Sequence, residues 1–445
     1  EDLNYWKIDV NGHVLEPGMK SCPPPLSVCY KMRTYSKNRI PFPMRRVDWD
    51  PEGERNTQNR GKSGYVRISW DEACDIIAKE IKRLQDEGGP FTILAQSDGH
   101  GETKNVHAAH GCQTQLLNLT GGFLKQARQA DSWEGWYWGA QMAWGMDPVG
   151  MQVQTNNVIR DVAENGDAVL FWGADPETTP WGWGGQFASR VCYWFTEVGI
   201  KSIYICPDLN HAAAVHADKW IPVLPNTDVA LQLAIAYVWM TEDSYEKDYI
   251  ATHATGFDWF EYYVLGREDG VPKTPEWAAE RCGVPDYKIK ALARYWASKK
   301  VSIAHCNGGG YIRAAFSHEP ARMEVYLLGM RGLGQPGVNQ FQLIEWQLFS
   351  LDSLNPLPPS EFIPSTEHAY RGATMDLSEP FVPKTLIHKA ITEPRIEWHG
   401  HVITGMGYQD QALAFEYAPE EKQGLRMIWS DAPCWSACWN GGHEV

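Results

Sequence analysis

The chain has 445 residues, 43% hydrophobic and 21% charged, a balance that excludes a disordered polypeptide and suffices for two or three domains. A net charge of −15 without a long basic run excludes nucleic-acid binding and disfavours an anionic membrane surface. The longest apolar run, Val229 to Met240, is interrupted by Gln232 and is far shorter than the ~20 residues of a spanning helix, so no transmembrane segment is expected.

Residues 1–66 are rich in Pro, Arg, Lys and Gly. Pro23-Pro24-Pro25 and Pro41-Phe42-Pro43 force extended chain, which predicts an irregular lobe with short strands. The chain opens at Glu1 without a signal-peptide pattern and stops at Val445 without a capping signal, so both ends are expected to be cut. Ser69 is a candidate N-cap, with Glu72 three residues on as a capping box requires. Ala73, Ile76, Ile77, Ile81 and Leu84 form one helical stripe, ended by Gly88-Gly89-Pro90. Phe91 to Gln96 is a predicted strand, and Asn105 to Leu119 a helix closed by Gly121-Gly122. His107 and His110, one turn apart on it, read as a polar helix face.

Strands are predicted at Ala168–Trp172, Ser202–Cys206, Lys219–Leu224 and Val301–Cys306. Helices are predicted at Gly185–Val198, from Asp228 to about Met240, and from His318 to Met330. Such alternation means βαβ units, hence an α/β fold with doubly wound, mostly parallel sheets. The domain expectation is a first α/β part over 67–160, a second domain over 161–316, and a return segment over 317–445. Prolines 356, 358, 359, 364, 380 and 383 mark 350–400 as an irregular excursion of the kind that carries substrate contacts. Gly424 to Ser430 reads as a strand entering a new unit.

Ten cysteines are scattered singly, which is not a disulfide framework. Cys22 and Cys29, and Cys434 and Cys438, have neither zinc-knuckle nor iron–sulfur spacing. The match Asn118-Leu119-Thr120 to a glycosylation acceptor is taken as chance. The segment Asp131-Ser132-Trp133-Glu134-Gly135-Trp136-Tyr137-Trp138-Gly139 sets a hydroxyl beside a carboxylate among four large rings. Rings supply rigid apolar walls, and glycines let backbone approach a bulky ligand, so the stretch suits the floor of a deep pocket.

Ligands of open parallel sheets sit beyond the carboxyl ends of the strands. Three predicted strand ends carry unusual residues: Trp172-Gly173-Ala174-Asp175-Pro176-Glu177-Thr178, Cys206-Pro207-Asp208-Leu209-Asn210-His211, and Asn307-Gly308-Gly309-Gly310. A short acceptor there can hold a sugar hydroxyl or a purine edge, and glycines let backbone amides meet phosphate. The glycine run lacks the G-x-G-x-x-G spacing of a nicotinamide site. In Asn226-Thr227-Asp228, Thr227 or Asp228 serves as a helix N-cap, or Asp228 accepts from a guanine edge.

These strings, with Ala217-Asp218-Lys-Trp-Ile-Pro222 and Gly332-Leu-Gly334-Gln-Pro-Gly337-Val-Asn339, resemble the molybdopterin oxidoreductase (dimethyl-sulfoxide-reductase) family. Asp131-Ser132-Trp133-Glu134-Gly135-Trp136 is similar to its branch of pyrogallol–phloroglucinol transhydroxylase large subunits and resorcinol hydroxylases. The resemblance implies a bis-molybdopterin guanine dinucleotide carrying molybdenum or tungsten, with Ser132 as the metal ligand. It makes His100, Asp131, Ser132 and Trp133 the catalytic set. It assigns Trp172, Gly173, Asp175, Glu177, Asp208, Asn210, His211, Asn226, Asp228, Gly309 and Gly310 to the cofactor. A catalytic tyrosine is expected within 350–400, without an assigned position.

The cysteine cluster that opens many relatives is missing, so this chain is expected to hold no iron–sulfur cluster and to work with an iron–sulfur electron-transfer subunit. The family's C-terminal domain is expected to be absent from this chain. The implied activity is hydroxyl transfer or hydroxylation on a small polyhydroxylated phenol, with a cytoplasmic location or export after folding. The alternatives are reductive dehydroxylation, another molybdenum redox reaction, or an inactive scaffold.

Overall fold

The structure is a computed structural model that describes residues 8–10, 13–15, 32–96, 112–127, 139–140, 142–143, 155–178, 187–305, 316, 318–342, 380–400 and 413–430. Strands β1 (Ile8–Val10) and β2 (His13–Leu15) form an antiparallel hairpin, and β3 (Met44–Arg46) and β4 (Tyr65–Arg67) a second. Helix α1 (Trp70–Gly88) starts as predicted, with the Glu72 amide donating to the Ser69 hydroxyl at 3.1 Å. Its stripe is buried only at the far end, at Ile81 and Leu84, while Ile77 is 41% exposed. Strand β5 (Ile93–Gln96), helix α2 (Cys112–Leu119) and strand β6 (Leu124–Ala127) follow; the predicted helix residues 105–111 lie outside the described residues.

Next come α3 (Thr155–Asn165), β7 (Ala168–Trp172), α4 (Phe187–Glu197), β8 (Lys201–Ile205), α5 (His211–His216) and β9 (Lys219–Ile221). Helices α6 (Asp228–Thr241), α7 (Lys247–His253), α8 (Phe257–Val264), α9 (Pro275–Cys282) and α10 (Asp286–Ala297) lead to β10 (Val301–His305), α11 (His318–Met330) and β11 (Gln340–Gln342). The chain then forms β12 (Phe381–Pro383), α12 (Ile387–Thr392), β13 (Ile396–Gly400), β14 (Leu413–Tyr417) and β15 (Met427–Ser430).

Two compact units result, one of residues 1–32 and 130–357, the other of 33–129 and 358–445. In the first, a five-stranded sheet has the order β11-β10-β7-β8-β9, and every pairing is parallel. The chain fills the sheet outward from β7 through β8 to β9, then returns to place β10 on the other flank of β7. That reversal is the topological switch point of a doubly wound sheet. All of β7 is buried, and Phe171 stacks on Tyr204 of β8 with centroids 4.6 Å apart. The apolar run of α6 is a helix buried nearly all round, packed against α9, α10 and α11. Gln232, which interrupts the run, is fully buried and donates to the Pro320 carbonyl of α11 at 3.0 Å. None of the described helices is long and apolar enough to cross a membrane.

The second unit holds a four-stranded parallel sheet of order β12-β6-β5-β15. It changes two expectations. Pro380 to Pro383 is not irregular chain throughout: Phe381–Pro383 forms an edge strand on β6, where a residue lacking an N–H is tolerated. Met427–Ser430 opens no new unit; it pairs with β5 and completes the first α/β sheet. The rest of the predicted excursion, residues 350–379, lies outside the described residues.

Arg55 donates to both Glu80 oxygens at 2.7 Å, Arg83 joins Glu80 and Glu87, and Arg426, just before β15, donates to Glu87 at 2.8 Å. Burial pushes the Glu80 carboxyl up, but the Arg55 and Arg83 bonds outweigh it and hold the pKa at about 2 against an ordinary 4.5. A folded value below the unfolded one means the contribution is complete above pH 4.5 and lost as pH falls toward 2. Acid unfolding of Glu80→Gln should therefore lose about 2 kcal/mol less over that window than the parent chain. Parallel stability curves would refute the role given to Glu80.

Candidate cofactor-binding site

The carboxyl ends of β7 and β8 lie beside the switch point and carry most of the predicted cofactor residues. β7 ends on Trp172, fully buried, whose indole N–H donates to Asp228 Oδ1 at 2.8 Å. Gly173 extends the ladder by one bond, its N–H to the Ile205 carbonyl at 2.8 Å, and turns the chain at φ 62°, which favours glycine. The Asp175 carboxylate then closes the turn. It accepts from the Glu177 and Thr178 amides at 3.1 Å, from the Thr178 hydroxyl at 2.6 Å, and from the Ala212 amide of α5 at 3.2 Å.

Asn210 caps α5, with its Oδ1 accepting from the Ala213 amide at 2.9 Å and its Nδ2 donating to the Ala174 carbonyl at 3.2 Å. Glu177 points into the protein and is 6% exposed. Its Oε1 accepts from Ser189 Oγ at 2.7 Å and meets His216 Nε2 at 2.5 Å. Burial opposes ionisation of Glu177, but the bonds from His216 and Ser189 outweigh it and hold the carboxyl below its usual range. Cys206 donates to the Asp208 carbonyl at 3.2 Å, and burial pushes its thiol up to about 11, so it is inert.

The loop before α6 departs from the capping expectation. Thr227 holds the cap position without capping, its hydroxyl donating instead to the Leu224 carbonyl at 2.7 Å. Asp228 is the first residue of the helix, and Asn226 beside it sits exposed at φ 60°. Burial pushes the Asp228 carboxyl up, with the Trp172 bond acting the other way. No side chain other than Trp172 bonds its carboxylate among the described residues.

The predicted residues thus separate into a frame and a rim. Trp172, Asp175, Glu177 and Asn210 each hydrogen-bond within the protein, and those bonds hold the strand ends, α4, α5 and α6 together. Asp208 and His211 are exposed at the strand end and helix start, and the Asp208 carboxylate has no hydrogen-bond partner among the described residues. A ribose diol and a guanine edge both present donors, and the acceptors Asp208 and Asp228 fit them. Ser189 and His216 were not predicted; each pairs with Glu177 across a long sequence gap, and no local pattern signals it. His100, Asp131, Ser132, Trp133, Gly309 and Gly310 lie outside the described residues.

Two further features are architectural. Gly337, at φ 80°, and Asn339 both donate to Asp161 Oδ2 of α3 at 2.7 Å, so this sequence landmark locks α3 to β11. A cleft of about 700 Å³ in the other unit, walled by Phe91, Phe381, Phe415 and Tyr417, opens at the amino ends of β5, β6 and β12. Parallel sheets bind ligands at the opposite end, so it is not assigned to the cofactor.

The molybdopterin oxidoreductase family profile matches residues 39–418. The chain is 33% identical, over 96% of its length and 52% of the relative's, to the pyrogallol hydroxytransferase large subunit of Pelobacter acidigallici. It is 32% identical, over 74% of its length and 40% of the relative's, to trimethylamine-N-oxide reductase of Haemophilus influenzae. Acetylene hydratase from Pelobacter acetylenicus aligns in structure with TM-score 0.41 and 21% identity, covering 71% of this chain and 38% of that one. The chain spans about half the length, or less, of these curated relatives. With the profile covering most of its residues and parallel strand ends furnished as above, the chain belongs to the molybdopterin oxidoreductase family.

Proposed function

We propose that this chain is part of the catalytic large subunit of a molybdopterin guanine dinucleotide enzyme that transfers hydroxyl groups between polyhydroxylated aromatic rings. The observation that carries the reading is the similarity to a pyrogallol hydroxytransferase large subunit along 96% of the chain. Asp208, His211 and Asp228 bind the guanosine part, and Gly309 and Gly310 meet its phosphates. Ser132 ligates the metal, and Trp133 walls a planar ring. The bound cofactor supplies the two-electron chemistry at its metal centre. Asp131 and His100 orient the ring hydroxyls and exchange protons with them, which a carboxylate and an imidazole do near neutral pH. A companion subunit is proposed from the relative's description as a large subunit; the iron–sulfur character proposed for it rests on the cysteine spacing of this chain.

The test is metal and nucleotide analysis of the complete purified enzyme, then turnover of pyrogallol without an added reductant. Molybdenum or tungsten, released GMP and redox-neutral turnover are expected. Ser132→Ala should lower turnover by about 10²-fold, at the upper end of what losing even an outer-shell partner of a metal ligand costs. Turnover only with an electron donor would favour a reductase, the reading supported by similarity to trimethylamine-N-oxide reductase. A protein without either metal would be a scaffold.

A further inference from the structure

We infer that Glu177, Ser189 and His216 form a buried positioning unit that sets Asp208 and His211 against the guanosine part of the cofactor; this rests on the guanosine site proposed above. At six residues α5 is too short to hold itself in place, so its position is dictated by what grips it.

Its start is gripped twice from the β7 loop, by Asp175 on the Ala212 amide and by Asn210 on the Ala174 carbonyl. Its end is gripped once from the same loop, by Glu177 on His216 Nε2 at 2.5 Å. Ser189 of α4 donates to the same Glu177 oxygen at 2.7 Å, and Tyr193 of α4 packs edge-on against the His216 ring, with centroids 4.6 Å apart. Loop, α4 and α5 therefore meet at one carboxylate oxygen. Glu177 and His216 are buried, and Glu177 Oε1 and His216 Nε2 are bonded to each other, so these groups serve the fold rather than the ligand.

Asp208 and His211 sit at the other end of α5, exposed. If His216 is released, the end grip on α5 is lost and a buried carboxylate keeps only one donor. The helix then shifts along the loop, and the rim residues move with it. Glu177 and His216 are thus positioning residues, acting on the ligand through Asp208 and His211.

The complete enzyme tests this by GMP released per polypeptide on denaturation, with circular dichroism and thermal melting as fold controls. His216→Phe keeps the ring volume but has no donor, and should retain about tenfold less GMP than the parent. His216→Gln places an amide donor near Nε2 and should restore most of that loss, a rescue that a space-filling role does not give. Should His216→Phe fail to fold, Ser189→Ala keeps the His216 bond and should lose about threefold. Undiminished GMP in both His216→Phe and Ser189→Ala overturns the inference, as does His216→Gln performing no better than His216→Phe. Asp208→Asn separates the two levels. If it lowers GMP while His216→Phe does not, the inference alone falls; if it leaves GMP unchanged, the guanosine reading falls and takes the inference with it.

Discussion

Gly139→Ala is expected to lower turnover of the complete enzyme by about 10²-fold, the scale of a 1 Å misplacement at the metal site proposed around Ser132. Gly139 closes the aromatic segment that contains Ser132, and it lies directly against the start of α11. A Cβ at Gly139 would overlap the His318 carbonyl oxygen, lie 2.8 Å from the His318 carbonyl carbon, and touch Ala321 Cβ at 3.0 Å. The obstructing atoms are mostly backbone, so no side-chain rotation relieves the clash. Either α11 or the segment must move.

α11 is held by buried residues along its length, including Leu327, Leu328 and Met330 at 0% exposure, so the segment is the element expected to yield. Overpacking of this kind costs about 1–3 kcal/mol, which a denaturant melt would register. Parent-like turnover together with a parent-like melt would show that the segment reaches its place without this contact.

Asp228→Ala is the second large effect. It leaves the Trp172 indole N–H buried with no acceptor, at a cost of about 1–3 kcal/mol. It also removes the acceptor proposed for the guanine edge, and loss of a charge-assisted bond of about 1.5–3 kcal/mol lowers nucleotide retention by about 10- to 100-fold. Asp228→Asn separates these effects. Its amide oxygen still serves Trp172, and the buried charge is gone, so stability is expected to equal or exceed that of the parent chain. Its amide nitrogen, however, turns a donor toward guanine donors, so GMP content should fall as in Asp228→Ala. GMP content in Asp228→Asn equal to the parent's would remove Asp228 from the nucleotide site and leave it a partner of Trp172 alone.

Much of the fold was legible locally. Ala168–Trp172, Lys201–Ile205 and Val301–His305 lie within or beside predicted strands because continuous apolar runs of that length between turn residues fit buried parallel strands. Ser69 capped its helix because a hydroxyl three residues before a free amide needs nothing else from the protein. Phe381–Pro383 as a strand, and the sheet that the predicted strand at Met427–Ser430 joins, were not legible because the pairing partners, β6 and β5, come from the other end of the chain.

By itself the sequence determined the α/β alternation, the strand ends where polar residues gather, and the family these motifs resemble, since each depends on neighbours within a few residues. Only the tertiary structure decided which of those polar residues turn inward. Asp175, Glu177 and Asp208 belong to similar turn-rich strings, yet two are bound within the protein and one faces out. The physical reason is that a carboxylate's role depends on the donors brought to it. The donors to Glu177 and the cross-link from Asp175 come from α4 and α5, which reach the β7 loop only when the sheet has formed.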